Sequence, residues 1–310
     1  QLSDAASQSV LYIPALGIMI AMIILTLVSA WWIAWQPAVY LAALGLLITV
    51  SQYAPPGDSA AAWQVGAAVW VAVTGAAMSL LGGGLTWLGR RWPLARFYSE
   101  GLLVMGLAAT TLTALAAPAA ANTWQSLVSA DVVLLLAALA ASLLVSAIRF
   151  RQEDLFGFFC FALLVAVLIA ADLQLEDREG GYLVRYQTVG LLGAIALAVA
   201  SWPLAAWLRG REGFNRFGAA AYVVAFATAM VVLGLMPLVG NLAWRGGDLV
   251  GVAVILLFLR PHVRHPATGY AVAAAVIAAI FQFVASRYGD SAYRMHAASV
   301  IAAGALAVSL

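Results

Sequence analysis

The composition of this 310-residue chain excludes a soluble globular domain. Hydrophobic residues make up 65% of it and charged residues only 9%, whereas charged residues approach a quarter of an ordinary soluble domain. The formal net charge of +2 is too small to indicate a nucleic-acid partner. All 15 basic residues are arginines, which excludes lysine chemistry such as a Schiff base.

Apolar runs bounded by charged residues, proline or glycine predict an all-α, polytopic bundle of about eleven membrane helices, or ten if the ninth segment does not span. Short loops connect the runs, so residues 1–310 are predicted to form a single transmembrane domain. The character of both chain ends also fits a fragment of a longer chain. In order, the segments are Val10–Ile33, Val39–Tyr53, Ala61–Leu81, Gly101–Ala119, Val132–Ile148, Leu155–Ala171, Val189–Leu208, Phe217–Val239, a short one within Leu242–Leu259, Ala267–Ser286 and Ala297–Leu310.

The fifth segment indicates how the helices are oriented. Asp131 is followed by a long uncharged run and then by Arg149 and Arg151, as in a span whose arginine end faces the cytoplasm. The same rule places ten arginines and four acidic residues, a net charge of +6, on one side of the membrane, and five arginines and nine acidic residues, a net charge of −4, on the other. This pattern predicts a bacterial inner (cytoplasmic) membrane protein with its N-terminus outside and its C-terminus in the cytoplasm.

The predicted spans carry no Asp, Glu, Arg or His near their middle. A charge within the bilayer is costly and commonly marks an ion or proton path, so the pattern disfavours a carboxylate-driven pump. It favours a non-catalytic membrane module, either a subunit of a larger envelope complex or the membrane part of a longer chain. The predicted partners are the lipid bilayer and other membrane or periplasmic subunits.

A secondary carrier for a small or amphipathic solute is the main alternative, and the eighth and ninth segments favour it. Only eleven apolar residues separate Asp248 from Arg260, about 16 Å of helix, which is half a bilayer. Either the ninth helix extends back to Leu242 or the segment is re-entrant, and discontinuous helices form binding sites in transporters. The predicted substrate-binding residues are Pro237, Asn241, Arg245 and Asp248.

The loop after the sixth segment is the largest polar island in the sequence. Interleaved acids and arginines are typical of a solvated loop, and they make it the best candidate for docking a periplasmic partner through Glu176, Asp177, Arg178 and Glu179. A third hypothesis, a membrane enzyme acting on a lipid-linked substrate, would use the same acids. However, the chain has no Ser-His-Asp, HExxH or nucleophile-elbow pattern, so no catalytic residue is predicted. No metal site or cofactor is indicated either, because His262 and His265 lie between prolines without a nearby carboxylate or thiol.

Overall fold

The structure, a computed structural model, describes residues 20–29, 31–32, 36–52, 60–120, 129–174, 181–211, 214, 216–238, 241–258 and 268–287. These residues form α-helices and short connections, and no strand occurs among them, which confirms the all-α prediction. The helices are α1 (Ile20–Ser29), α2 (Pro37–Gln52), α3 (Ala60–Leu88), α4 (Pro93–Ala120), α5 (Ala130–Phe150), α6 (Glu153–Gln174), α7 (Gly181–Trp207), α8 (Phe217–Leu235), α9 (Leu242–Leu257) and α10 (Thr268–Arg287).

Seven of the described helices, α3 to α8 and α10, are long and apolar enough to cross a membrane. The chain is therefore a multi-pass membrane protein. The predicted count of eleven spans is not confirmed. Helices α2 and α9 each have 16 residues, fewer than the roughly 20 that a bilayer core requires, and the eleventh segment lies outside the described residues.

The chain divides into two compact units, Gln1–Arg151 and Gln152–Leu310. In the first unit, α3 and α4 make the most extensive contact. Helix α3 was expected to end at Leu81, but it continues through three glycines to Leu88. The first of them packs against α4 so closely that a Cβ on Gly82 would lie 2.7 Å from the carbonyl oxygen of Ser99. Small residues at the contact allow the two backbones to approach, as is common in membrane helix pairs.

Helix α5 matches its prediction to within two residues at each end. The Ser129 side chain accepts a hydrogen bond from the backbone N–H of Val132 and caps the first turn, which also carries Asp131. The last turn carries Arg149. An acidic residue at the start and a basic residue at the end both complement the helix dipole.

The second unit contains α6 to α10. Helix α7 runs antiparallel to α6, because Leu168 contacts Gly190 while Leu164 contacts Gly193. Helix α8 runs parallel to α6, with the Phe156 and Phe217 rings stacked at 4.7 Å. A core of mostly small and β-branched residues joins α7, α8 and α9, and its buried members are Leu191, Ala194, Ala198, Tyr222, Ala225, Ala229, Val232, Val252 and Ile255.

Two helices of this unit are longer than the sequence predicts. Helix α6 continues past Ala171 to Gln174, and α7 begins at Gly181 rather than at Val189. Asp172 and Gln187 were both expected in a loop and are helical instead. Both side chains are buried.

Candidate functional site

One face of α7 packs into the core of the second unit, and a polar residue lies toward the N-terminal end of that face. Leu191, Ala194, Ala198 and Ser201 are buried at alternating spacings of three and four residues, the repeat of a single helix face. Gln187 lies four residues before Leu191 and continues that face. Its side chain is only 3% exposed, and its Nε2 has no hydrogen-bond partner in the part of the chain that the structure describes.

Helix α9 repeats this arrangement. Val252 and Ile255 belong to the core, and Asp248 lies four residues before Val252 on the same face. Asp248 is 5% exposed, and its Oδ2 has no hydrogen-bond partner among the described residues. It is the seventh residue of the sixteen in α9. A carboxyl side chain that was predicted to bind substrate therefore lies near the middle of this apolar helix.

The packing of α7 on α9 puts these two polar side chains at one level. The two helices run parallel, since Leu191 packs against Gly251 and the Trp202 ring lies 6.0 Å from the Phe258 ring. A Cβ added to Gly251 would lie 2.7 Å from Cγ of Leu191. Gln187 and Asp248 each lie about one turn before this contact, so both belong to the layer directly next to it.

Helix α6 adds a second carboxylate to this end of the unit. The hydroxyl of Tyr186, the residue before Gln187, donates a hydrogen bond of 2.7 Å to Oδ2 of Asp172. Asp172 is 8% exposed, and no described residue is a hydrogen-bond partner of its Oδ1. The pairing of α6 with α7 therefore brings Asp172 to within about one turn of the level of Gln187.

Helix α10 contributes a fifth side chain at about the same level. Gly246 of α9 lies against the ring of Phe283, whose atoms would be 3.1 Å from an added Cβ. The preceding residue, Gln282, has a buried Oε1 without a hydrogen-bond partner in the described ranges. We refer to these polar side chains as the polar layer, which consists of Asp172, Tyr186, Gln187, Asp248 and Gln282.

The polar layer contains more acceptors than donors. Three of its unpartnered atoms are oxygens, on Asp172, Asp248 and Gln282, and one is the amide nitrogen of Gln187. A buried carboxylate is costly unless hydrogen-bond donors or an opposite charge satisfy it. A small solute with N–H or O–H groups would supply donors to the oxygens and could accept a hydrogen bond from the amide.

Unit 1 also has buried side chains without hydrogen-bond partners, but they are less suited to a binding site. They are the hydroxyls of Ser79, Ser142 and Ser146. Burial of a hydroxyl costs far less than burial of a carboxylate. Small hydroxyl residues are also common where membrane helices pack closely.

Of the four predicted substrate-binding residues, Asp248 alone belongs to the polar layer. Asn241 is exposed, and its Oδ1 accepts a hydrogen bond of 2.9 Å from the N–H of Ala243, so it caps the start of α9. Pro237 lies in the short 3₁₀ helix Met236–Leu238 that follows α8, as expected for a helix break. Arg245 is half-buried in the first turn of α9. Solute binding by these residues remains a prediction.

The predicted docking residues Glu176, Asp177, Arg178 and Glu179 lie outside the described residues, as do His262 and His265. Four residues of the polar layer were not predicted from the sequence, namely Asp172, Tyr186, Gln187 and Gln282. Gln187 could have been found, because its spacing from Leu191 and Ala194 matches the face of one helix. Asp172 has no comparable signal, since its burial depends on the neighbouring helix.

Comparisons with protein-family models, with curated proteins and with solved structures find no match for this chain. Its function is therefore inferred from the chemistry of the polar layer.

Proposed function

We propose that the protein is a carrier for a small solute that bears hydrogen-bond donors, such as an amine, and that the polar layer binds this solute. The observation that supports this most directly is Asp248, a buried carboxyl side chain in the middle of α9 with Oδ2 unpartnered. Ionisable groups inside membrane proteins are costly and are typically associated with substrate or ion paths.

The short length of α9 also supports a carrier. Helix α8 ends at Leu235, a 3₁₀ turn containing Pro237 follows, and α9 begins at Leu242. The 16 residues of α9 span about 24 Å, less than the roughly 30 Å core of a bilayer. Unusually short helices are a feature of solute-binding sites in transporters.

The sequence pattern favoured a non-catalytic module, and the main reason was an interior without charges. Asp172 and Asp248 are both buried, so that reason no longer holds for the second unit. The module hypothesis predicts that both carboxylates are dispensable for binding small molecules. The enzyme hypothesis depends on Glu176, Asp177 and Glu179 and stays a prediction.

The arginine distribution supports an inner-membrane location with the N-terminus outside. In that orientation the polar layer is closer to the outer face, because α6 ends there and α7 and α9 begin there. Reporter fusions placed after Leu208 and after Leu238 would test this. We expect the first to be cytoplasmic and the second to be outside.

The carrier proposal can be tested with one carboxylate-to-amide change and a matched control. Asp248→Asn removes the charge from the polar layer and keeps the side-chain shape. Asp131→Asn makes the same change at an exposed position in the first turn of α5. The purified variants are screened by thermal shift against a panel of small amines and polyols, and hits are followed by uptake into proteoliposomes.

We expect the wild type and Asp131→Asn to bind and transport the same solute. Asp248→Asn should bind it at least about tenfold more weakly, since a hydrogen bond to a charged group contributes on the order of 1.5–3 kcal/mol. The proposal is wrong if no panel solute stabilises the wild type, or if Asp248→Asn transports as well as Asp131→Asn.

A further inference from the structure

Helices α6 and α8 leave an open, apolar groove on the surface of the second unit. The groove has a volume of about 850 Å³, and all of its lining residues belong to these two helices or to Arg216 just before α8. Small residues such as Gly157, Ala220 and Ala227 let the surface recede, while Phe158 and Val223, each 62% exposed, form part of its walls. An apolar surface of this kind is suited to contact with lipid acyl chains, which are as apolar as leucine.

One end of the groove is charged, and the rest is not. Arg216 Nη1 donates to Glu153 Oε1 at 3.2 Å, and the exposed Asp154 lies beside them. The remaining lining is apolar apart from Thr228, whose hydroxyl already donates to the carbonyl of Val224. The groove therefore has a mouth with one positive and two negative side chains, and an apolar body.

The length of the groove matches the thickness of one leaflet of a bilayer. Along α6 it runs from Asp154 to Leu168, about 21 Å at 1.5 Å per residue. A bilayer including its headgroups is roughly 40–45 Å thick, so a leaflet is about half of that. A lipid with its headgroup at the mouth would have its acyl chain along the whole groove.

We propose that this groove binds one phospholipid whose headgroup carries a phosphate, a primary ammonium group and no further charge, that is, phosphatidylethanolamine. Arg216 would bind the phosphate, since guanidinium matches phosphate geometry. Glu153 and Asp154 would accept hydrogen bonds from the ammonium group. An acyl chain would cover the apolar lining between α6 and α8.

The charges of the mouth select this headgroup over two common alternatives. A purely anionic headgroup such as phosphatidylglycerol would meet a mouth with a net charge of −1. Phosphatidylcholine has a trimethylated nitrogen that cannot donate hydrogen bonds to the two carboxylates. This inference is independent of the carrier proposal, because it concerns another surface of the unit and none of the polar-layer residues.

Lipid binding in the groove can be tested by filling the groove with a bulky side chain. Ala227→Phe places a ring on the lining, and Ala196→Phe makes the same change at an exposed position of α7 outside the groove. Each protein is incorporated into nanodiscs containing equal parts of phosphatidylethanolamine, phosphatidylglycerol and phosphatidylcholine. Native mass spectrometry then measures which lipid stays bound after release from the disc.

We expect the wild type and Ala196→Phe to retain one phosphatidylethanolamine and Ala227→Phe to retain about tenfold less. Equal retention by all three proteins would overturn the proposal. So would a doubled protein mass that Ala227→Phe alone reduces to the monomer, since that result would place a second copy of the chain in the groove.

The headgroup assignment has its own test, which leaves the apolar groove intact. The double variant Glu153→Gln/Asp154→Asn changes the net charge of the mouth from −1 to +1 and should reverse the preference, so that phosphatidylglycerol is retained over phosphatidylethanolamine. Arg216→Gln should weaken retention of both lipids. If the double variant keeps the wild-type preference, the carboxylates do not recognise the headgroup and the assignment to phosphatidylethanolamine is wrong.

Discussion

The contact between α3 and α4 depends on a glycine that leaves no space for a methyl group. A Cβ on Gly106 would overlap the carbonyl oxygen of Gly75 and the hydroxyl of Ser79, and would lie 2.7 Å from the backbone nitrogen of Ser79. Two of these three atoms belong to the backbone, so a change of rotamer cannot relieve the overlap. Gly106→Ala must push the two helices apart.

The cost of that movement can be separated from helix propensity by a matched variant. Gly84 lies on α3 and is exposed, and no atom of the described residues lies within 4 Å of an added Cβ. Gly→Ala in a helix gains up to about 1 kcal/mol at either position. Forcing an extra methyl group into a packed interface costs about 1–3 kcal/mol. Because the propensity gain is common to both variants, Gly106→Ala should be less stable than Gly84→Ala by about 1–3 kcal/mol.

The measurement is equilibrium unfolding of both variants in mixed micelles, titrated with SDS and followed by near-UV circular dichroism. Gly84→Ala should unfold at the same SDS fraction as the wild type or a higher one, and Gly106→Ala at a lower one. Equal midpoints for the two variants would refute the close packing of α3 on α4. A lowered midpoint for Gly84→Ala would show that its methyl group meets a contact outside the described residues.

Two tyrosine hydroxyls in the second unit should differ in their contribution to stability. Tyr222→Phe removes a buried hydrogen bond of 3.1 Å to the carbonyl of Ile255 and should cost about 0.5–1 kcal/mol, because that carbonyl also accepts from a backbone N–H. Tyr186→Phe removes the hydrogen bond to Asp172 and should cost more, about 1–3 kcal/mol, since a buried carboxylate oxygen loses its donor. The same SDS titration measures the stability of both variants. A larger loss of stability for Tyr222→Phe than for Tyr186→Phe would contradict this prediction.

The sequence was sufficient to predict that the protein lies in a membrane, that it is all-α, and where most helices occur along the chain. Helix α5 was predicted well because Asp131 and Arg149 mark its two ends and the residues between them are uniformly apolar. The end of α8 near Pro237 also has a local signal, because proline cannot continue a helix without loss of a hydrogen bond. These signals are local in the chain.

The errors occurred where tertiary contacts decide the structure. Gly82 was expected to end α3, yet a close contact with α4 requires a glycine inside the helix. Asp172 was assigned to a polar loop because acidic residues follow it, but the hydroxyl of Tyr186 holds it in the last turn of α6. Neither partner is near in sequence, so periodicity and composition could not reveal the contact.

The stability of the second unit does not explain why Asp248 is retained in α9. Val252 and Ile255 continue the same face as apolar residues, and a valine at position 248 would extend that core. Burial of a lone carboxylate is costly, and even buried ion pairs can be replaced by apolar residues of similar volume with a neutral effect or a gain of about 1–4 kcal/mol. Asp248→Val should therefore unfold at an equal or higher SDS fraction than the wild type while losing solute binding in the thermal-shift screen. If it instead loses as much stability as Gly106→Ala, Asp248 holds the helices together, and the polar layer is a structural network rather than a binding site.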